Sequence, residues 1–204
     1  MTIIPGAIAA FLIAAVYLMF LREMDIFEKE KKRFSIMCFI LGALFTFLLI
    51  PLQMKFPIME WLPSSGDFLT RFKFHFFAVA FFEEFVKILP FIIMLRLPKV
   101  MDESFDYIKY ASVGALGFAT VENVLYFSRS LHIIEGRAFY TAVLHMFTSS
   151  VIAYSIYYAR VKKGKSIITS FALSYVLAVA LHALYNALIS ESETHILGVA
   201  FVGV

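Results

Sequence analysis

The sequence predicts an all-α fold, a polytopic transmembrane helix bundle of about six spans, and three observations carry that expectation. Of the 204 residues 61% are apolar and 16% charged, where a soluble domain has roughly 45–50% and about 25%. The mean hydropathy of +0.84 leaves too few polar side chains to cover a water-facing surface. The apolar residues also gather in six blocks, each near the roughly 20 residues that a helix needs to cross a hydrocarbon core. No repeat and no block large enough for a soluble domain interrupts them, so 1–204 reads as one integral membrane domain.

The first block, 2–21, has no positively charged stretch before it and no small-residue cleavage site after it, so it is expected to stay as a span. The second, 34–53, holds the single Cys38, a buried apolar side chain by default with no partner for an internal disulfide. Blocks 74–95, 107–127, 140–159 and 167–189 follow. The connection from Met54 to Lys73 carries Pro57, Trp61, Pro63 and Gly66 and reads as an interfacial segment. The tail from His195 to Val204 is too short to cross, and reads as an interfacial end or the start of a seventh span.

The net charge of +3 is not a nucleic-acid signal, because the basic residues lie in short loops between apolar blocks. They report topology. Connections after blocks one, three and five hold twelve Lys and Arg residues, counting Lys109 at the margin of block four, those after two and four hold five, and the termini none. The excess belongs on the cytoplasmic face. Both termini are therefore expected outside the membrane, whose lipid is the first partner.

The acidic residues that fall inside spans carry the functional signal. They are Glu83 and Glu84 in block three and Glu122 in block four, accompanied within the spans by Lys87, Asn123, His145, His182 and Asn186. A charge at the bilayer centre costs about 2.5–3.5 kcal/mol on insertion scales. In the expected orientation Glu83, Glu122, His145 and His182 lie roughly 8–14 Å below the outer ends of four different helices at 1.5 Å per residue. Polar groups from four spans thus share one layer, as a buried site requires. Glu83 and Lys87 stand at i and i+4 in the favourable order for an ion pair, which puts Glu84 about 100° away. His182 and Asn186 share one face of block six, and Thr148 and Ser149 follow His145 by three and four residues. Ala111, Gly114, Ala115 and Ala119 give block four a small-residue stripe that lets neighbouring helices approach.

Each polar group also has a structural reading: an ion pair for Glu83 with Lys87, interhelical hydrogen bonds for Glu122 with Asn123, an interfacial position for His145. His75, His132 and His195 flank the spans and read as structural. A carboxylate with imidazole and amide groups in a water-poor pocket can activate water and stabilise an oxyanion, the equipment of peptide hydrolysis. The sequence holds no HExxH, no Gly-x-Ser-Gly and no Asp within an apolar core. A glutamate-based or unusual metal site remains. A proton- or ion-coupled transporter also uses intramembrane Glu and His, yet it usually shows repeated halves and broken helices near the midplane.

Four ordered motifs carry a family resemblance: Glu83-Glu84-x-x-Lys87, Phe118-x-x-x-Glu122-Asn123, His145 with Thr148 and Ser149, and His182-x-x-x-Asn186. Together they resemble the PrsW family of membrane-embedded bacterial proteases, which belongs with the wider CAAX-protease and bacteriocin-processing superfamily. The resemblance spans roughly 74–190, the implied catalytic core. It implies an endopeptidase that cuts a single-pass membrane protein, notably an anti-sigma factor at its first, extracytoplasmic site in a stress response. It implies Glu83 as base for the attacking water, Glu84 as a second essential acid, and His182 with Asn186 polarising the scissile carbonyl. Lys87 stands one residue before the superfamily's Arg, and Glu122-Asn123 replaces a motif that ends there in His. A metal-free glutamate mechanism is the expectation, with no cofactor, although Glu83, Glu122, His145 and His182 would suit zinc by ligand type.

Overall fold

The computed structural model describes residues 3–26, 32–56, 58–97, 100–129, 137–162 and 164–190. Pro57, His132 and the tail from His195 to Val204 lie outside the described residues. Every regular element among the described residues is helical.

Six long helical segments follow the six blocks. Helix α1 covers Ile3–Met24. Helix α2, Lys32–Phe45, continues through a 3₁₀ turn, Thr46–Leu48, into α3, Leu49–Lys55. The Thr46 hydroxyl donates to the Gly42 carbonyl at 3.0 Å next to this tightening, a side-chain bond that competes with the helix ladder. The short α4, Ile58–Trp61, precedes α5, Phe68–Phe74. A π-helical stretch, His75–Ala80, then joins α5 to α6, Phe81–Met94. Helices α7, Ser104–Arg129, α8, Arg137–Val161, and α9, Ile167–Ile189, complete the bundle.

The third span therefore begins six residues before the expected boundary. Residues 68–73 had read as interfacial because Arg71 and Lys73 interrupt the apolar run. They are helical because the Asp67 carboxylate caps α5, accepting from the Thr70 amide at 2.8 Å. The Arg71 guanidinium adds bonds to the Gly66 carbonyl at 2.7 Å and, from Nε, to the Ala187 carbonyl of α9 at 3.3 Å. A side chain that looked like a boundary marker is a tie between two helices.

Helix α7 is the centre of the bundle, with α1, α2, α6 and α8 packed around it. Every residue from Tyr110 to Thr120 is buried. The contact with α2 is made backbone to backbone: a Cβ on Gly42 would stand 2.0 Å from the Gly114 carbonyl oxygen, and one on Gly117 2.1 Å from that of Phe39. The small-residue stripe thus has a packing role, with Gly117 as an additional member.

By length and apolar composition four helical segments suffice to cross a membrane: 4–24, 32–55, 138–161 and 167–189. The two that fall short, 68–94 and α7, contribute Glu83, Glu84, Lys87 and Glu122. A helix sheathed by other helices does not need the apolarity of one that faces lipid. The chain is accordingly a multi-pass, all-α membrane protein.

Candidate active site

Helices α6, α7, α8 and α9 bring their polar residues into one buried cluster. Glu84, Lys87 and His145 are fully enclosed, and His182, Glu83 and Glu122 are 1%, 3% and 6% exposed. Burial of this completeness is tolerated only where each charge finds partners.

The connections run as follows. The Lys87 ammonium donates to Glu84 Oε1 at 2.5 Å, to His145 Nδ1 at 2.7 Å and to Thr148 Oγ1 at 3.3 Å. The Thr148 hydroxyl also donates to Glu84 Oε1 at 3.0 Å. An ammonium is a donor only, so His145 Nδ1 accepts and its Nε2–H donates to Glu122 Oε2 at 2.7 Å. His182 Nδ1 stands 2.8 Å from Glu84 Oε1, a contact it makes as donor to the carboxylate. Its Nε2 is 3.5 Å from Glu83 Oε2. The two imidazoles meet edge to face, with centroids 5.0 Å apart.

One expected pairing changes. Lys87 bonds Glu84, three residues before it, where the i,i+4 pattern pointed to Glu83. Glu84 accepts from Lys87, His182 and Thr148. The 100° between tandem acids is absorbed by His182, whose two nitrogens lie on different edges of the ring, one near each carboxylate. The π-helical turn just before α6 contributes, because its wider i→i+5 bonding resets which residues face the interior.

Asn123 and Asn186 stand apart from this network. Asn123 Nδ2 donates to the Ala138 carbonyl at 3.3 Å, joining α7 to the first turn of α8. Asn186 is half-buried one turn beyond His182. Thr148 takes the larger role, and its spacing after His145 was the signal for it. Reading by spacing assigned His75 no part, yet it is only 7% exposed on the π-helical stretch.

The donor set can be tested for a metal. Glu83, His145 and His182 each offer a ligand atom within 4.8 Å of the others, a carboxylate and two imidazoles, as in one class of catalytic zinc sites. The 3.5 Å between His182 Nε2 and Glu83 Oε2 is close to the roughly 3.3 Å between two ligands of a tetrahedral zinc ion with bonds of about 2.0–2.1 Å. Glu84 on His182 Nδ1 and Glu122 on His145 Nε2 are carboxylate–imidazole pairs that orient ligating histidines. With the carboxylates ionised and the imidazoles neutral, three acids against one ammonium leave two negative charges, which a divalent cation balances. Glu83 Oε2 and His182 Nε2 fit the ion as they stand, whereas His145 Nδ1 already accepts from Lys87 at 2.7 Å and would ligate only with that ammonium turned aside. Glu122, the fourth expected ligand, stands behind His145 as its hydrogen-bond acceptor.

A bundle of membrane helices with carboxylates and imidazoles interlocked at its centre defines the class of membrane-embedded hydrolases and ion carriers, and comparison with known proteins resolves the choice. The family model described as PrsW family intramembrane metalloprotease matches residues 30–204. The chain belongs to this family, and is a membrane protease by that membership. It is 30% identical over 157 residues to Protease PrsW of Oceanobacillus iheyensis, an alignment covering 72% of this chain and 66% of the relative. It is 27% identical to Protease PrsW of Geobacillus kaustophilus, covering 83% and 72%, and 26% identical to that of Bacillus subtilis, covering 81% and 74%. The chain thus spans about two thirds to three quarters of the length of these relatives. No solved structure matches it.

Proposed function

We propose that this protein hydrolyses a peptide bond in a single-pass membrane protein, with an anti-sigma factor as the substrate class and the cut on the extracytoplasmic side. The observation that carries the reading is the pair of electron-pair donors, Glu83 Oε2 and His182 Nε2, 3.5 Å apart beside a buried carboxylate–lysine–histidine network. A water between them gives its proton to Glu83 as it attacks the scissile carbonyl. Glu84 holds His182 in one tautomer through Nδ1. Lys87 and Thr148 hold Glu84 in turn, and Glu122 orients His145. The imidazole N–H groups face Glu84 and Glu122, so the developing oxyanion is stabilised by the Asn186 amide, one turn along α9 from His182. Glu83 and His182 Nε2, joined by His145 Nδ1 once Lys87 turns aside, would hold a zinc ion, which when bound supplies a Lewis acid and a more acidic water.

The test compares new N-termini of membrane proteins in membranes carrying the wild type or a folded Glu83→Gln variant. Cuts near the outer boundary of single-pass proteins are expected with the wild type and reduced about 10²–10⁴-fold in the variant. Identical N-termini in both samples would overturn the catalytic assignment. Chelation followed by readdition of zinc separates the two modes of water activation: activity that survives chelation supports the glutamate mechanism, whereas loss with recovery on zinc supports the ion.

A further inference from the structure

A second feature lies at the other end of α7. A cavity of about 310 Å³ opens between α1 and α2 over α7, within the size range of small-ligand pockets. Along α7 its residue Val113 is nine positions from Glu122, about 14 Å at the helical rise, so the cavity is separate from the polar cluster. Leu18, Ile36, Phe39 and Val113 give it apolar walls, and Arg22, Lys32, Lys109, Asp25 and Ser35 give it a polar end.

The charge balance at that end favours an anion. Lys109 Nζ bonds Asp25 Oδ2 at 2.5 Å, and both side chains are nearly enclosed. This pair cancels itself. The excess charge is carried by Arg22 and Lys32, which are both exposed. The apolar part is continuous with the surface that faces lipid, since Met19 and Ile36 line the cavity while being 68% and 58% exposed. A cationic end joined to an apolar wall open to hydrocarbon matches an amphiphile with an anionic head.

We propose that this cleft binds an anionic phospholipid, with its phosphate between Arg22, Lys32 and the Ser35 hydroxyl and an acyl chain along the α1–α2 wall. The headgroup bonds are charge-assisted, and the buried Lys109–Asp25 pair fixes the floor of the site. The lipid joins α1 to α2, two helices that are each held by α7, and so completes the sheath around the helix that carries Glu122.

The experiment uses the full chain in nanodiscs of phosphatidylcholine with increasing phosphatidylglycerol, and reads retained lipid by native mass spectrometry. The wild type is expected to retain phosphatidylglycerol in preference to phosphatidylcholine. The Arg22→Gln/Lys32→Gln variant is expected to bind it roughly 30-fold more weakly, the equivalent of about 1 kcal/mol for each cation near a charged membrane surface. Lys162→Gln/Lys165→Gln removes the same charge from exposed positions away from the cleft and is expected to leave retention unchanged. Ile36→Gln keeps every cation and is expected to weaken retention through the apolar wall. No preference in the wild type, or equal loss in the two double variants, would overturn the proposal. Displacement of the lipid by millimolar inorganic phosphate alone would also overturn it, by making the cavity a free-anion site.

Discussion

Lys87 is the residue on which the candidate site turns. Its ammonium reaches Glu84, His145 and Thr148 from a fully buried position. Removing one partner of a buried ion pair leaves the other charge uncompensated, at a cost of about 3–5 kcal/mol. Lys87→Met is therefore expected to lower thermal stability in detergent markedly, and Glu84→Gln in the same chain to restore part of it; strictly additive effects would show that the pair is not coupled. The acids and histidines of the site could be picked out in the sequence because charge is costly in a membrane. Their pairing could not, since spacing pointed Lys87 to Glu83, whereas in the assembled bundle, with α8 and α9 in place, it bonds Glu84.

At the scale of elements, the α2–α7 contact depends on two glycines facing each other across the interface. A Cβ at Gly42 would overlap the Gly114 carbonyl, and overpacking of this kind costs about 1–3 kcal/mol. Gly42→Val should lower the melting temperature, whereas Ile40→Val on the exposed face of the same helix should leave it unchanged; equal effects would refute the close contact. Helix α5 gives a second case. The Asp67 carboxyl is held below its ordinary pKa by hydrogen bonds from Thr70. A lowered carboxyl pKa stabilises the fold above the unfolded-state value, and that stabilisation is lost as pH falls through the lowered folded-state value. The protection factor of the Thr70 amide, its exchange rate relative to the intrinsic one, is thus expected to fall on acidification in the wild type. In Asp67→Ala it should already be low at neutral pH, with no further dependence on acid. The six helical blocks were readable from hydropathy, because a membrane helix must be long and apolar. The start of the third was not, since a capping aspartate and an arginine tie resemble the polar end of a span.

For the whole molecule, the arrangement of basic residues sets the expected orientation, with both termini outside and the polar cluster in the outer half of the bilayer. Cysteine substitutions on a Cys38→Ala background test it. Positions near Gly66 should label from outside in intact cells, and positions near Gly164 only after permeabilisation; the reverse pattern would move the proposed cut to the other face.

The sequence by itself determined that this chain lives in a membrane, that the described residues hold six apolar helical blocks, and which ionisable residues lie inside them. These follow from the cost of exposing polar groups to hydrocarbon, a cost each residue meets wherever its neighbours end up. Only the tertiary structure decided that Glu84 is held by Lys87, Thr148 and His182 together, that Glu122 serves His145, and that Asn123 braces a helix start. It also decided that α7 is sheathed by its neighbours while α1 and α2 leave a cationic cleft between them. Those outcomes depend on which helix faces meet, and hydrogen bonds between side chains 23 to 98 residues apart exist only once the bundle has assembled.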